Sequence, residues 1–194
     1  MSLAGVDFGS KLAGTTVIAS CQHAPSLFRS EKGRDADAFL LSELLRLGVR
    51  TVFLDAPLSL PGVYTGLAGH DDFLFRTGDR ALGAMSPMFL GGLTARAMRL
   101  KKQLDDAGVQ VYETYPAAQA KRLELPTLGY KRERAHLPAV LEALLPHLSP
   151  FPFEPSAVQS WHDVDALLAL LGGLRREKGE AVFWGSEEEG GVWV

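Results

Sequence analysis

Residues 3–29 read LAGVDFGSKLAGTTVIASCQHAPSLFR, and this stretch decides the fold. Leu3 to Phe8 is an unbroken apolar run with a single aspartate, the pattern of a buried strand. Gly9-Ser10-Lys11 supplies a turn. Gly14 to Ser20 and Ser26 to Arg29 are two further short strands at hairpin spacing. The chain then changes period. Phe39, Leu40, Leu44, Leu45 and Leu47 recur at helical spacing within Asp35 to Leu47, and Gly48 closes that helix. Val49 to Leu54, apolar apart from Arg50 and Thr51, reads as a central strand covered on both faces.

The order continues outward. Helices are expected over Thr94 to Ala107, Leu137 to Leu148 and Trp161 to Leu171, with a strand over Val109 to Tyr115. Val182 to Trp184 or Val192 to Val194 offers a closing edge strand. Residues from about 59 to 92 are irregular and read as a loop-rich insertion with one short helix; long loops in compact domains are usually functional. Three antiparallel hairpin strands, a helix, and then parallel strands alternating with helices is the order of an RNase H-like α/β fold. Its mixed central sheet would be flanked by helices. The 194 residues suit one domain with that insertion.

Composition narrows the function. Hydrophobic residues at 46% and charged residues at 22% are ordinary for a globular protein, and the net charge of −3 is not that of a general nucleic-acid coat. The charge is uneven: residues 96–134 hold nine Lys or Arg against five Asp or Glu. Cys21 is the one cysteine, which excludes an internal disulfide and suits a reducing cytoplasm. No apolar run approaches the ~18 residues that a membrane span needs, so no membrane partner is expected.

The chemistry lies in carboxylates at strand ends. Asp7 ends Ala4-Gly5-Val6, Asp55 ends Val52-Phe53-Leu54, and Glu113 shares a strand face with Val109 and Val111. On neighbouring strands these groups would converge and repel one another by several kcal/mol unless neutralised. The simplest occupant is Mg²⁺ or Mn²⁺ with oxygen ligands, which makes phosphodiester hydrolysis the leading chemistry. A fourth ligand comes from Asp163-Val164-Asp165. Ser160 to Asp163 matches a capping box, so Asp163 is explained by the helix start and Asp165 is the better ligand. Two residues apart on a helix they point about 200° apart, so only one reaches the cluster.

The ordered segments GVDFGS, VFLDAPLSLP, VYETYPAAQAKRL, YKRER, HDVDALLALLGG and GSEEEGGVWV resemble the group of predicted RNase H-fold nucleases catalogued as domain of unknown function 429, from Gly5 to Val194. The resemblance implies metal ligands at Asp7, Asp55, Glu113 and Asp165. It also implies phosphate-holding cations at Lys131, Arg76 and Arg80. The expected mechanism has two metals about 4 Å apart bridged by Asp7, acting on a nucleic-acid substrate.

Other residues read more simply. His162 could shuttle a proton beside Asp165, but at a helix start it is expected to be ordinary surface; His70-Asp71-Asp72 is expected to be a flexible loop; and Trp161, Trp184 and Trp193 could stack on bases but are expected to pack. The rival reading is a phosphate-binding protein: Asp7 to Lys11 followed by Gly14-Thr15-Thr16 resembles the nucleotide-holding hairpin of actin and the sugar kinases. A non-catalytic binding protein on the same fold is the remaining alternative.

Overall fold

The computed structural model describes residues 2–22 and 24–194. The chain opens with β1 (Leu3–Asp7), β2 (Val17–Ser20) and β3 (Ser26–Arg29), followed by α1 (Ala36–Arg46) and β4 (Thr51–Asp55). The irregular stretch holds a 3₁₀ turn at Gly62–Thr65 and two short helices, α2 (Thr77–Leu82) and α3 (Pro87–Leu90). Next come α4 (Gly92–Asp106), β5 (Gln110–Glu113), α5 (Pro116–Arg122), α6 (Leu137–Leu144) and α7 (Trp161–Glu177). A final hairpin pairs β6 (Phe183–Ser186) with β7 (Gly190–Trp193).

The first five strands form one mixed sheet in the order β3-β2-β1-β4-β5. β1, β2 and β3 pair antiparallel, whereas β1, β4 and β5 pair parallel. The molecule is thus an α/β protein whose five-stranded mixed sheet is flanked by helices. Side chains alternate between the two faces. Ala4, Val6, Val52, Leu54 and Val111 pack on Leu40 and Leu44 of α1 and Leu100 and Leu104 of α4. Leu3 and Phe53 point the other way, into a second cluster built around α7 and backed by α6.

α7 decides the geometry of that second face. Every residue from Asp163 to Leu174 is buried, because the helix has the sheet on one side and α5 and α6 on the other. Leu167, Leu168, Leu170 and Leu171 contribute roughly 1.5–3 kcal/mol each by leaving water. Helix and strand approach very closely at Gly5, where an added Cβ would lie 2.0 Å from the Leu170 amide nitrogen and 2.4 Å from the Ala166 carbonyl oxygen.

Several local expectations differ from the structure. The insertion holds two short helices and not one, and the helix expected over Leu137 to Leu148 is α-helical only to Leu144, its last four residues forming a 3₁₀ turn. α7 runs through Gly172 and Gly173 to Glu177 instead of stopping at Leu171. A Cβ on Gly173 would lie 2.7 Å from the Phe53 ring, so the glycine meets a packing need within the helix and does not end it. α5 is an additional helix that the sequence pattern does not announce; Pro116 at its first turn starts it without a side-chain cap. The C-terminal strands pair mainly with each other; among the described residues the Thr114–Trp193 bridge, with the Thr114 hydroxyl donating to the Trp193 carbonyl, joins them to the end of β5. Among the described residues no helix is long and apolar enough to cross a membrane.

Candidate metal centre

Asp7 and Asp55 are the last residues of β1 and β4 and stand opposite one another in the parallel register. Both continue the face that carries Leu3, Gly5 and Phe53, the face covered by α7. Asp165 lies in the first turns of α7 and is brought down onto the strand ends by the Gly5 contact. One carboxylate oxygen from each of Asp7, Asp55 and Asp165 lies within 4.8 Å of the others.

Each carboxylate is held differently. His162 Nδ1 lies 2.7 Å from Asp7 Oδ2, and Lys131 Nζ lies 2.7 Å from Asp165 Oδ2. The Tyr130 hydroxyl donates to Asp165 Oδ1. Among the described residues nothing donates to the Asp55 carboxylate. Burial, together with the negative charges of Asp165 and Asp7, pushes the Asp55 carboxyl well above the usual carboxylate range. Burial likewise lifts Asp165 to about 6, against the pull of Lys131. The hydrogen bond to Asp7 raises His162, which favours its charged form. Burial and the Asp165 charge keep the Tyr130 phenol protonated, so it remains a donor.

Lys131 sits at the mouth of this cluster with φ +59°, a left-handed backbone that costs a non-glycine residue roughly 1–2 kcal/mol. The preceding Gly129, at φ +88°, turns the chain so that Tyr130 and Lys131 both reach Asp165. Tyr130 is fixed in turn by edge-on contact with Trp161, ring centroids 5.8 Å apart.

Glu113 is not brought into the cluster. It stands opposite Leu54, one position before Asp55, so its side chain takes the opposite face of the sheet. There it meets Arg76, whose Nη1 lies 2.7 Å from one carboxylate oxygen and whose Nη2 lies 2.5 Å from the other. The Leu58 amide adds a third donor at 2.8 Å. Arg76 is buried and also binds Asp79 and Ser59, so its guanidinium is taken up by protein and has no face for a phosphate.

Two further expected residues also lie elsewhere. Arg80 pairs with Asp72 at 2.8 Å and stacks 3.8 Å from the Phe75 ring centroid. Asp163 is fully buried in the cap of α7, where its carboxylate accepts from the Ser160 and Gln159 amides and pairs with Arg29 at 2.7 Å. The structure therefore assembles Asp7, Asp55, Asp165 and Lys131, and leaves Glu113, Asp163, Arg76 and Arg80 in structural contacts. His162 and Tyr130 are the residues that sequence reasoning did not promote. The signal for His162 was its place near Asp165 at the helix start, and for Tyr130 its adjacency to Lys131.

The loop after Asp7 is occupied by its own contacts. Thr16 is buried with its hydroxyl 3.1 Å from the Gly9 amide, and Lys11 pairs with Asp35 at 3.0 Å. His70 and Asp72 serve the insertion: His70 contacts Glu189 at 3.1 Å, and the Phe75 and Leu74 amides hold the Asp72 carboxyl down to about 2.

No family model, no curated protein and no solved structure matches the chain.

The donor set fits a hard divalent cation. It offers carboxylate oxygens only, and a cation at their centre would relieve the repulsion among three acids faced by Lys131 and His162. The hydrogen bonds from His162, Tyr130 and Lys131 are of the kind that orient metal-ligating carboxylates.

Proposed function

We propose that this chain is a Mg²⁺- or Mn²⁺-dependent phosphodiester hydrolase, a nuclease, built on an RNase H-like fold. The observation that carries the reading is the convergence of Asp7, Asp55 and Asp165 within 4.8 Å, with no donor to the partly buried Asp55 among the described residues. The strand order β3-β2-β1-β4-β5, with the acids at the ends of β1 and β4, supports the fold assignment. The ordered motifs resembling domain of unknown function 429 point the same way.

Asp7, Asp55 and Asp165 would hold the cation, which supplies Lewis-acid polarisation of a phosphoryl oxygen and a bound water acidic enough to attack at neutral pH. The chain's own residues do the rest. Lys131 holds its ammonium beside the cluster, half-exposed, where it can pair with a substrate phosphate. Tyr130 fixes Asp165 from the opposite oxygen. His162 carries a proton on Nδ1 against Asp7 and leaves the rest of its ring half-exposed, positioned to pass a proton at Nε2.

The test is a thermal-shift titration with Mn²⁺ beside a cleavage screen on single-stranded, duplex and branched substrates. Wild type should gain stability from Mn²⁺ by mass action and cleave at least one substrate. Asp7→Asn should abolish cleavage while retaining the fold. A wild type that neither shifts with Mn²⁺ nor cleaves would return the chain to the non-catalytic reading.

A further inference from the structure

Beside the cluster, on the far side of His162, lies an open cavity of about 280 Å³. Arg134, Leu137, Gln159, Ser160, Trp161 and His162 line it. Most of its wall is apolar, and Arg134 supplies a positive charge beside that of protonated His162. His162 belongs to both places, since its Nδ1 contacts Asp7 and its ring borders the cavity. A ligand seated there would border the same imidazole that contacts Asp7.

We infer that this cavity is a subsite for one unpaired nucleobase of the substrate, next to the phosphate being cleaved. The inference rests on the nuclease reading and adds the substrate class: a single-stranded nucleic acid, or a frayed or unpaired end.

Three features select a base over other occupants. The volume is ample for a planar ring system and too small to enclose a helix. The apolar wall formed by Trp161 and Leu137, with Arg134 exposed at the edge, matches a flat ring attached to a phosphate. Aromatic faces and arginine planes hold bases in this way without reading their sequence. The wall is also pre-formed. The Trp161 indole Nε1 donates to the Arg132 carbonyl at 3.2 Å and its ring meets Tyr130 edge-on, so the tryptophan is fixed before ligand arrives. A base stacked within an intact duplex has no free face to present to this recess.

The experiment measures binding by fluorescence anisotropy in Ca²⁺, with three labelled probes: a dT12 strand, an abasic strand of equal phosphate number, and a blunt 12-base-pair duplex. Wild type should bind dT12 at least tenfold more tightly than the abasic strand or the duplex. Gln159→Trp fills the cavity from an exposed position and should erase that preference while the strand still binds through its phosphates. Arg134→Ala should weaken dT12 severalfold and leave the abasic strand less affected. Equal wild-type affinity for the three probes, or an unchanged preference in Gln159→Trp, would overturn the subsite. A Mn²⁺ thermal shift is run on the same samples. Its presence in wild type without base preference removes the subsite alone, whereas its absence removes the metal reading itself.

Discussion

Asp7 and Asp55 stand directly opposite one another across the parallel β1–β4 ladder, each the last residue of its strand. Adjacent parallel strands are about 4.8 Å apart, so the two carboxyl groups are held together by main-chain hydrogen bonds whatever their charges prefer. The sheet fixes the repulsion, and the consequences can be measured.

Asp55→Asn should raise the melting temperature of the metal-free protein. The substitution removes an ionisable group whose charged form is disfavoured by burial and by Asp165 and Asp7, while its shape is kept. A gain of about 1 kcal/mol, or roughly 2–4 °C for a chain of this size, is expected in calorimetry. The same variant should lose the stabilisation by Mn²⁺. A lower melting temperature without metal would mean that Asp55 is not strained by its neighbours.

Glu113→Gln separates the two faces of the sheet. It weakens the paired contact to Arg76 and should cost about 1–3 kcal/mol, yet the Mn²⁺-induced shift should survive. Arg76→Met leaves Glu113 and Asp79 buried without their cation and should cost about 3–5 kcal/mol. Loss of the metal response in Glu113→Gln, with the fold retained, would return Glu113 to the cluster.

Gly5→Ala tests the helix–strand contact. The new methyl meets the backbone of Ala166 and Leu170, which has no side chain to move aside. α7 must shift outward, costing about 1–3 kcal/mol, and Asp165 travels with it. Titration calorimetry should show weaker Mn²⁺ binding than wild type in the folded variant.

The C-terminal hairpin gives a pH-dependent prediction. The Glu189 carboxylate is buried, and burial works to raise it, but the Gly62 and Thr77 amides, at 2.9 and 2.8 Å, bring it below its ordinary value of 4.5. A carboxyl lowered in the folded state stabilises above its unfolded value and loses that contribution as pH falls through the folded one. Wild type should therefore exceed Glu189→Gln in stability at pH 7, and the difference should shrink as the pH falls below about 4.5. An unchanged difference at acid pH would show that Glu189 acts by shape and not by charge.

Asp7 and Asp55 were legible because a lone acid ending an apolar strand sits where an unpaired charge is costly, although a turn-forming role was the competing account of each. Asp165 followed from the capping box that accounts for Asp163. The misplacement of Glu113 came from neglecting alternation. Val109, Val111 and Glu113 share one face, and Val111 packs with Val52 and Leu54, so parity alone sends Glu113 away from Asp55. Arg76 was unreadable for a different reason. An arginine in a glycine-rich loop reads as solvated, and only tertiary packing shows it buried between Asp79 and Glu113. His162 and Tyr130 gain their roles from the approach of separate segments, which no local pattern encodes. α5 and the continuation of α7 were hidden because short helices and interior glycines are poor formers in isolation.

Enclosure of α7 from Asp163 to Leu174 also sets how the site can come apart. A helix with solvent on one face can fray turn by turn, but this one has no such face over twelve residues. Amide protons of Val164 to Leu171 should therefore exchange with deuterium only when the whole sheet–helix sandwich opens, at rates that follow global stability. Exchange at the Asp165 amide then becomes a clock for the life of the assembled site.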